Sequence, residues 1–468
     1  MTHTLKPDAQ GHINIDNKGG MYTPGDTIYI TGNPKDVLIT ALSGAEGQPI
    51  KISNVPGEVL NIGDSTWSGG SYSYGLMFKN CHHIEVFGSS KNNFIITGSK
   101  STAKDANGYW IAGAYFNCRI DDMSDNFKVH DMTIRYGGNG IWCKTEVYST
   151  NSSTWAPNAC ANFEFYNLDI GFTHTEGMYI GHTATWWNIK TNQPYYSGTP
   201  TDLNTYKQPS KLSNVIIRNN YVHDCEFDGI QCAAIDGLQV YGNEVVNWGI
   251  GKNSGHNGGI LIGGRVKGFN VHDNYVHDGW GDMIQVYAEG GAPGKITNNL
   301  LVNNQASTDA SGISLRGTND LVVELSNNTV VSTGSSTIRV NGYYGQKSKQ
   351  VISNNILAQP RYIAAIGARN YIYEENGGVF IDVGNQKFQT LADAKLDSKF
   401  IPVAGTTAAG FGYKLPQQPE TPAPQPEELK LSINIPAINI TGLKVGTQTA
   451  KMALPDGKTI DITIVVEK

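Results

Sequence analysis

From residue 167 to residue 355, polar and apolar positions follow one recurring order: an Asn, two or three apolar residues, a polar bend, a small residue with Gly, then an apolar-x-apolar triplet. Clear copies are Asn220-Tyr221-Val222-His223 with Asp228-Gly229-Ile230-Gln231-Cys232, and Asn274-Tyr275-Val276-His277 with Asp282-Met283-Ile284-Gln285-Val286. Asn167 stands at the first opening and Asn243, Asn299, Asn328 and Asn355 at later ones, most of them 23 to 31 residues apart. A period in this range marks a solenoid, whose single coils cannot bury an apolar face alone. Side chains alternate along a strand, so Ile230 and Cys232, or Ile284 and Val286, should point inward and the middle residue outward. Stacked coils then place like on like, which predicts aliphatic stacks inside and an asparagine stack at the bend. Gly177, Gly229, Gly259 and Gly312 fall where the chain turns sharply into a strand, a position expected to use positive φ. The pattern predicts an all-β chain folded as a right-handed parallel β-helix.

Less regular coils precede this region. Residues 1–60 read as the entrance, with Thr23-Pro24-Gly25-Asp26 turning into Thr27-Ile28-Tyr29-Ile30, and the helix proper should run over 61–415. Two insertions interrupt it, near 144–160 and 182–212, and long loops without structure of their own are often functional. Residues 416–428, punctuated by Pro416, Pro419, Pro422, Pro424 and Pro426, predict an extended linker. Residues 429–468 turn β-like again: Leu431-Ser432-Ile433-Asn434-Ile435 alternates, and Asp456-Gly457 signals a hairpin. So short a segment is expected to be a small docking or oligomerisation module.

Composition narrows the function. The 468 residues include 54 Gly, 10% aromatics and only 16% charged residues, which suits tight turns and a surface that reads sugars. A formal charge of −6 excludes a phosphate-neutralising stripe, so no nucleic-acid partner is expected. No apolar run is long enough to span a membrane. The first residues lack the charged-then-apolar pattern of a secretory signal. Either a signal was removed or the protein leaves its cell another way, as a virion component would, and an extracellular or virion location is the expectation. The six cysteines, Cys81, Cys118, Cys143, Cys160, Cys225 and Cys232, show no paired metal spacing and are expected as buried free thiols.

Aligning the coils puts Asn139, Glu176, Asp228, Gly258, Asp282, Ser311 and Ser336 in one column before the inward triplets. Coils stack about 4.8 Å apart. If the second insertion adds no coil, Glu176 and Asp228 lie near the ~5 Å separation of retaining glycosidases, and Asp228 and Asp282 nearer ~9.6 Å. Glu176, Asp228 and Asp282 are therefore the candidate catalytic acids; the competing reading makes them turn caps. Candidate glycan-binding residues are Trp155, Trp186, Trp187, Tyr195, Tyr196 and Tyr206 on the insertions, with His256, Arg265 and Arg316. The pairs His130-Asp131, His223-Asp224, His272-Asp273 and His277-Asp278 recur at bends and read mainly as turn chemistry. No cofactor is expected, although carboxylates near Asp224 to Asp228 and Asp278 to Asp282 offer the hard oxygens that calcium takes.

The repeats resemble the pectate-lyase-like superfamily of right-handed β-helices, which includes polysaccharide lyases, glycoside hydrolases, uronan epimerases and phage tailspikes. Pro24-Gly25-Asp26-Thr27-Ile28-Tyr29 and Ser43-Gly44-Ala45-Glu46-Gly47-Gln48-Pro49-Ile50 are similar to the first coils of the chondroitinase B and alginate lyase group. Glu176-Gly177-Met178-Tyr179-Ile180-Gly181 is similar to bacterial β-helix repeat proteins. The lyase group's block of acidic calcium ligands with a Lys/Arg pair is not evident, nor is the Asp-Pro-His core of alginate epimerases. The resemblance implies a polysaccharide or cell-surface glycan as partner. Two functions remain open: a glycan-cleaving enzyme, hydrolase or lyase, and a non-catalytic tailspike, fibre or adhesin, possible as a homotrimer and anchored through its C-terminal module.

Overall fold

The computed structural model describes residues 1–415, except 197, 289–291, 317–319 and 343–346, together with the strands Gly446–Ala453 and Thr459–Val466. Three parallel sheets of 13, 12 and 11 strands form the first unit, Met1–Pro416. Each coil gives one strand to each sheet in turn. Lys211–Arg218 joins the 13-stranded sheet, Tyr221–Cys225 the 11-stranded sheet and Ile230–Cys232 the 12-stranded sheet. The next coil repeats the order with Ile235–Tyr241, Glu244–Trp248 and Ile260–Ile262. Register does not slip: Ile230 pairs with Ile260, Ile260 with Ile284, Ile284 with Ile313 and Ile313 with Ile338. The chain is a right-handed parallel β-helix.

The inward triplet residues form the core. Ile230, Cys232, Ile260, Ile262, Ile284 and Val286 are fully buried, and all six cysteines are free, buried thiols. The middle residues also prove mostly buried: Gln231, Gln285 and Ser314 face away from the core yet are nearly inaccessible. They are covered outer-surface residues rather than solvated ones.

The asparagine stack occupies the bend between the 13- and 11-stranded sheets. Asn243 Nδ2 donates to Asn274 Oδ1, Asn274 to Asn299, Asn299 to Asn328 and Asn328 to Asn355, at 2.9 to 3.0 Å. Each Oδ1 also accepts the backbone N–H of the preceding Asn, as Asn274 does from Asn243 at 3.1 Å. Asn167 is not a member. It sits one residue earlier, in the left-handed conformation that Asn219, Asn298, Asn327 and Asn354 share, and Leu168 holds the ladder position opposite Asn220. The His-Asp pairs follow the same local logic: each His Nδ1 bonds the next Asp, at 2.5 to 2.8 Å, and each Asp is left-handed.

The column glycines serve a purpose other than the one expected. Gly177, Gly229, Gly259 and Gly312 are absent from the positive-φ positions; a Cβ on Gly229 would lie 2.5 Å from Val245 Cγ1 and 2.7 Å from the Gly259 carbonyl. Close approach of coil to coil requires them. The helix is already under way at Thr2–Leu5, which pairs with Thr27–Ile30. In the second unit, Gln417–Lys468, Gly446–Ala453 and Thr459–Val466 pair antiparallel with Ala453 opposite Thr459. The hairpin turn at Asp456-Gly457, the Pro-rich stretch and Leu431–Ile435 lie outside the described residues.

Replacing Asn274 with Ala removes the acceptor for two donors of Asn243 and the donor for Val240 O and Asn299 Oδ1. Asn274→Ala should cost about 3 kcal/mol of stability, since buried groups left unpaired cost 1–3 kcal/mol each. Urea unfolding of the variant measures this, and a loss under about 1 kcal/mol would mean that the ladder does not hold the bends.

Candidate functional site

The column read from the sequence exists in space, because the register of the 12-stranded sheet carries back two residues into the preceding bend. Met178 pairs with Ile230, so Glu176 lies over Asp228 with no coil between them. The insertion after Ile180 therefore adds no turn to the helix. Asn139, one coil before, donates from Nδ2 to Glu176 Oε2 at 2.6 Å. Asp228 Oδ1 accepts the Gly258 N–H, one coil on, at 2.5 Å. Asp282 Oδ1 accepts the Ser311 N–H at 2.7 Å in the same manner. Each acid thus uses one oxygen to tie its coil to a neighbour, and the second oxygen distinguishes them.

Asp228 and Asp282 both belong to an Asp-x-x-Gln sequence and both are fully buried. For Asp282 the second oxygen is fully engaged: Oδ2 accepts from Gln285 Nε2 at 2.9 Å and from Arg316 at 3.0 and 3.1 Å. The coil after Asp228 has Gly263 in the position where the coil after Asp282 has Arg316. Among the described residues Asp228 Oδ2 accordingly has no hydrogen-bond partner, and neither has the buried Gln231 Oε1. The repeat contains its own control: the same acid in the same column is closed by an arginine in one coil and left open in another.

Into the open position comes His256, from the glycine-rich loop Gly249-Ile250-Gly251-Lys252-Asn253-Ser254-Gly255-His256-Asn257-Gly258-Gly259. Its Nδ1 lies 3.5 Å from Glu176 Oε1 and 3.6 Å from Asp228 Oδ2, within ion-pair reach and beyond hydrogen-bond distance. The ring stacks on Phe227, centroids 4.9 Å apart. Burial pushes the Asp228 carboxyl up to about 6, against the lowering pull of His256 and with a further upward push from Glu176. The two carboxylates hold His256 in its charged form, raising it to about 10. One donor atom from each of Glu176, Asp228 and His256 falls within a 4.8 Å span, so the three could hold a cation. A ring nitrogen with two carboxylates suits first-row transition ions, whereas calcium takes oxygens alone.

Other candidate residues lie elsewhere. Both insertions leave from the far end of the short strands, after Cys143 and after Ile180, whereas the acids stand before the strands begin. The second insertion is not a bare loop: Trp186–Asn188 pairs antiparallel with Gln193–Tyr195 and Tyr206–Lys207. Trp187 packs edge-on against His182, and Tyr195 against Tyr206 at 4.8 Å. Trp155 donates to Tyr148 O and lies under Lys207. Tyr196 alone of the six is largely exposed. Arg265 is buried with both terminal nitrogens on Pro209 O, at 3.0 and 2.9 Å, so it pins the insertion instead of reaching a ligand. Arg316 is committed to Asp282, which removes both from the open pair.

A third long segment, 98–114, outside the regular repeat, enters on the acid side of the 12-stranded sheet. It carries Trp110, whose Nε1 donates to Glu226 Oε2 at 2.6 Å. The adjacent aromatics Tyr109-Trp110, in a stretch otherwise rich in Gly, Ala, Ser and Lys, were the available signal.

No protein-family model matches the chain, and no curated protein matches it. Among solved structures it is similar to the GH136 lacto-N-biosidase from Eubacterium ramulus, at 13% identity and TM-score 0.54, covering 78% of this chain and 62% of that one. It also matches an alginate lyase from Paenibacillus sp. at 13% identity and TM-score 0.36, covering 82% and 99% of the two chains. A periplasmic alginate epimerase matches at 11% identity and TM-score 0.35, covering 83% and 85%. The likeness to the lacto-N-biosidase is one of fold alone: the protein is a parallel β-helix. It spans less than two thirds of the length of the lacto-N-biosidase.

The contrast between the two aspartates has a thermodynamic consequence. Asp282→Asn should cost about 2 kcal/mol, less than a fully buried pair because Arg316 is 30% exposed. Asp228→Asn, which retains the oxygen facing Gly258 and gives up only the 3.6 Å ion pair with the half-exposed His256, should cost under about 1 kcal/mol. Thermal melts of the two variants test the assignment, and equal losses would contradict it.

Proposed function

We propose that this protein binds a polysaccharide or cell-surface glycan on the outer surface of its β-helix and hydrolyses a glycosidic bond with Glu176 and Asp228. The observation that supports the reading most is the open Asp228 carboxyl beside Glu176, in a column whose other aspartate is closed by Arg316. With donor atoms no more than 4.8 Å apart, the pair suits retention, in which carboxyl groups stand ~5–5.5 Å apart. Asp228, whose carboxyl burial raises to about 6 and which keeps its proton below that pH, gives it to the leaving oxygen as Glu176 attacks the anomeric carbon. The Asp228 carboxylate then takes a proton from water, which hydrolyses the glycosyl ester. His256 balances the charge of the pair at rest. Both acids lie beneath its ring, so access requires its glycine-rich loop to move aside.

That same burial favours a second reading, in which the protein binds glycans without cleaving them, as a fibre or adhesin does. In either case an extracellular or virion setting fits, and residues 429–468 would attach the helix to a larger assembly or a homotrimer.

The test is incubation with neutral and uronate polysaccharides, following new reducing ends and the absorbance of new double bonds. Hydrolysis gives reducing ends without absorbance, with retained anomeric configuration, and Asp228→Asn and Glu176→Gln should each lower the rate about 10³-fold. The rate should fall as pH rises through about 6, because the proton donor is then lost. Binding without cleavage of any glycan would replace the enzyme reading with the fibre reading, and absorbance would indicate a lyase.

A further inference from the structure

Beside the acids lies a cleft of about 420 Å³ that the acid chemistry does not use. Thr175 and Phe227, which line it, are the residues immediately before Glu176 and Asp228, so the cleft adjoins the bends that carry the two buried acids. The opposite wall is the segment 98–114. Two of the most exposed aromatic side chains of the described residues, Tyr72 at 75% and Tyr109 at 65%, stand at this cleft. Aromatic faces left in water at the mouth of a cleft offer stacking to the C–H face of a sugar ring.

The polar side of the cleft is built rather than incidental. Glu226 accepts from Trp110 Nε1 at 2.6 Å and bonds His174 Nδ1 at 3.2 Å, and the Trp110 and His174 rings lie 5.2 Å apart. These contacts bridge three separate bends and fix one carboxylate in the wall. Thr175 Oγ1 is buried without a partner next to Glu176.

Charge selects the class of ligand. No arginine lines the cleft, and its one lysine, Lys104, lies over the Trp110 ring at 4.3 Å, at the exposed rim. Asp105 is taken up by the N–H groups of Asn107 and Tyr109. Elsewhere on the outer face of the 12-stranded sheet, Arg119, Lys144, Arg316 and Arg339 are each paired with a carboxylate. A uronate entering the cleft would meet the Glu226 carboxylate, to which His174, the other basic side chain of the lining, is already bonded.

We infer that this cleft is the sugar-binding subsite adjoining the Glu176–Asp228 pair, and that it takes a neutral sugar residue, not a uronate. The inference rests on the glycan reading of the same site and sharpens it: a neutral residue beside the acids is compatible with hydrolysis, whereas a lyase requires a uronate. The aromatic rim supplies affinity, and the Trp110–Glu226–His174 wall meets the hydroxyls.

Saturation-transfer NMR on the full chain tests it, with the methyl glycosides of glucose, galactose and N-acetylglucosamine as neutral probes and methyl glucuronide as the charged one. At least one neutral glycoside should receive saturation and the glucuronide should not. The double variant Tyr72→Ala, Tyr109→Ala, which removes only exposed rings, should bind that glycoside about tenfold more weakly, the loss of ~1.4 kcal/mol of ring contact. Asp228→Asn should still bind it, which separates failure of the subsite from failure of the cleavage reading. Transfer to the glucuronide equal to that of the neutral sugars, binding unchanged in the double variant, or transfer to none of the probes would overturn the inference.

Discussion

Everything in this structure depends on each coil setting its bend directly over the last one. The asparagine ladder enforces that constraint, because each side-chain amide reads both its own coil and the next: the Oδ1 of Asn274 accepts from the backbone and side chain of Asn243, and its Nδ2 donates to Asn299. A slip of one residue would strand a run of buried donors and turn the aliphatic triplets outward. The glycines before the triplets act in the same direction, allowing neighbouring coils to approach where any Cβ would strike a carbonyl or a core valine.

Fixed register turns the sequence repeat into chemistry. Residues 52 positions apart, Glu176 and Asp228, come to face each other because the insertion between them leaves the stack undisturbed. A solenoid generates columns by default, and a column of Asn, Glu, Asp, Gly, Asp and Ser is first a set of ties between coils. The proposed chemistry enters where one tie is left incomplete. Gly263 in place of an arginine leaves Asp228 with an oxygen that makes no hydrogen bond among the described residues, and the loop bearing His256 closes over it. This is also why the turn-cap and catalytic readings are not exclusive: Oδ1 performs the first task and Oδ2 is available for the second.

Much of this was legible in the sequence. The period, the inward triplets, the asparagine stack and the acid column all follow from side-chain alternation and coil stacking. What the sequence could not give was the fate of second oxygens. Whether Arg316 reaches Asp282 depends on the side-chain path between coils, and Asp228 and Asp282 look alike in one dimension. Arg265, a candidate glycan-binding residue by sequence, is buried against Pro209; Trp110, which the repeat does not single out, reaches Glu226, 116 residues away. The aromatic insertions drew attention by composition, yet three-residue strands separate their roots from the acids, a distance that only the coil geometry reveals.

Asp228 differs from Asp282, the other aspartate of its column, in having no arginine on its second oxygen. Carboxyl-carbon NMR of chain labelled in its aspartates, followed across pH, measures this directly. The account predicts one aspartate resonance that titrates near 6 and is missing from the Asp228→Asn variant. If every aspartate titrates in the ordinary range near 4, or if the displaced resonance persists in that variant, Asp228 is one more tie between coils and the site described around it does not exist.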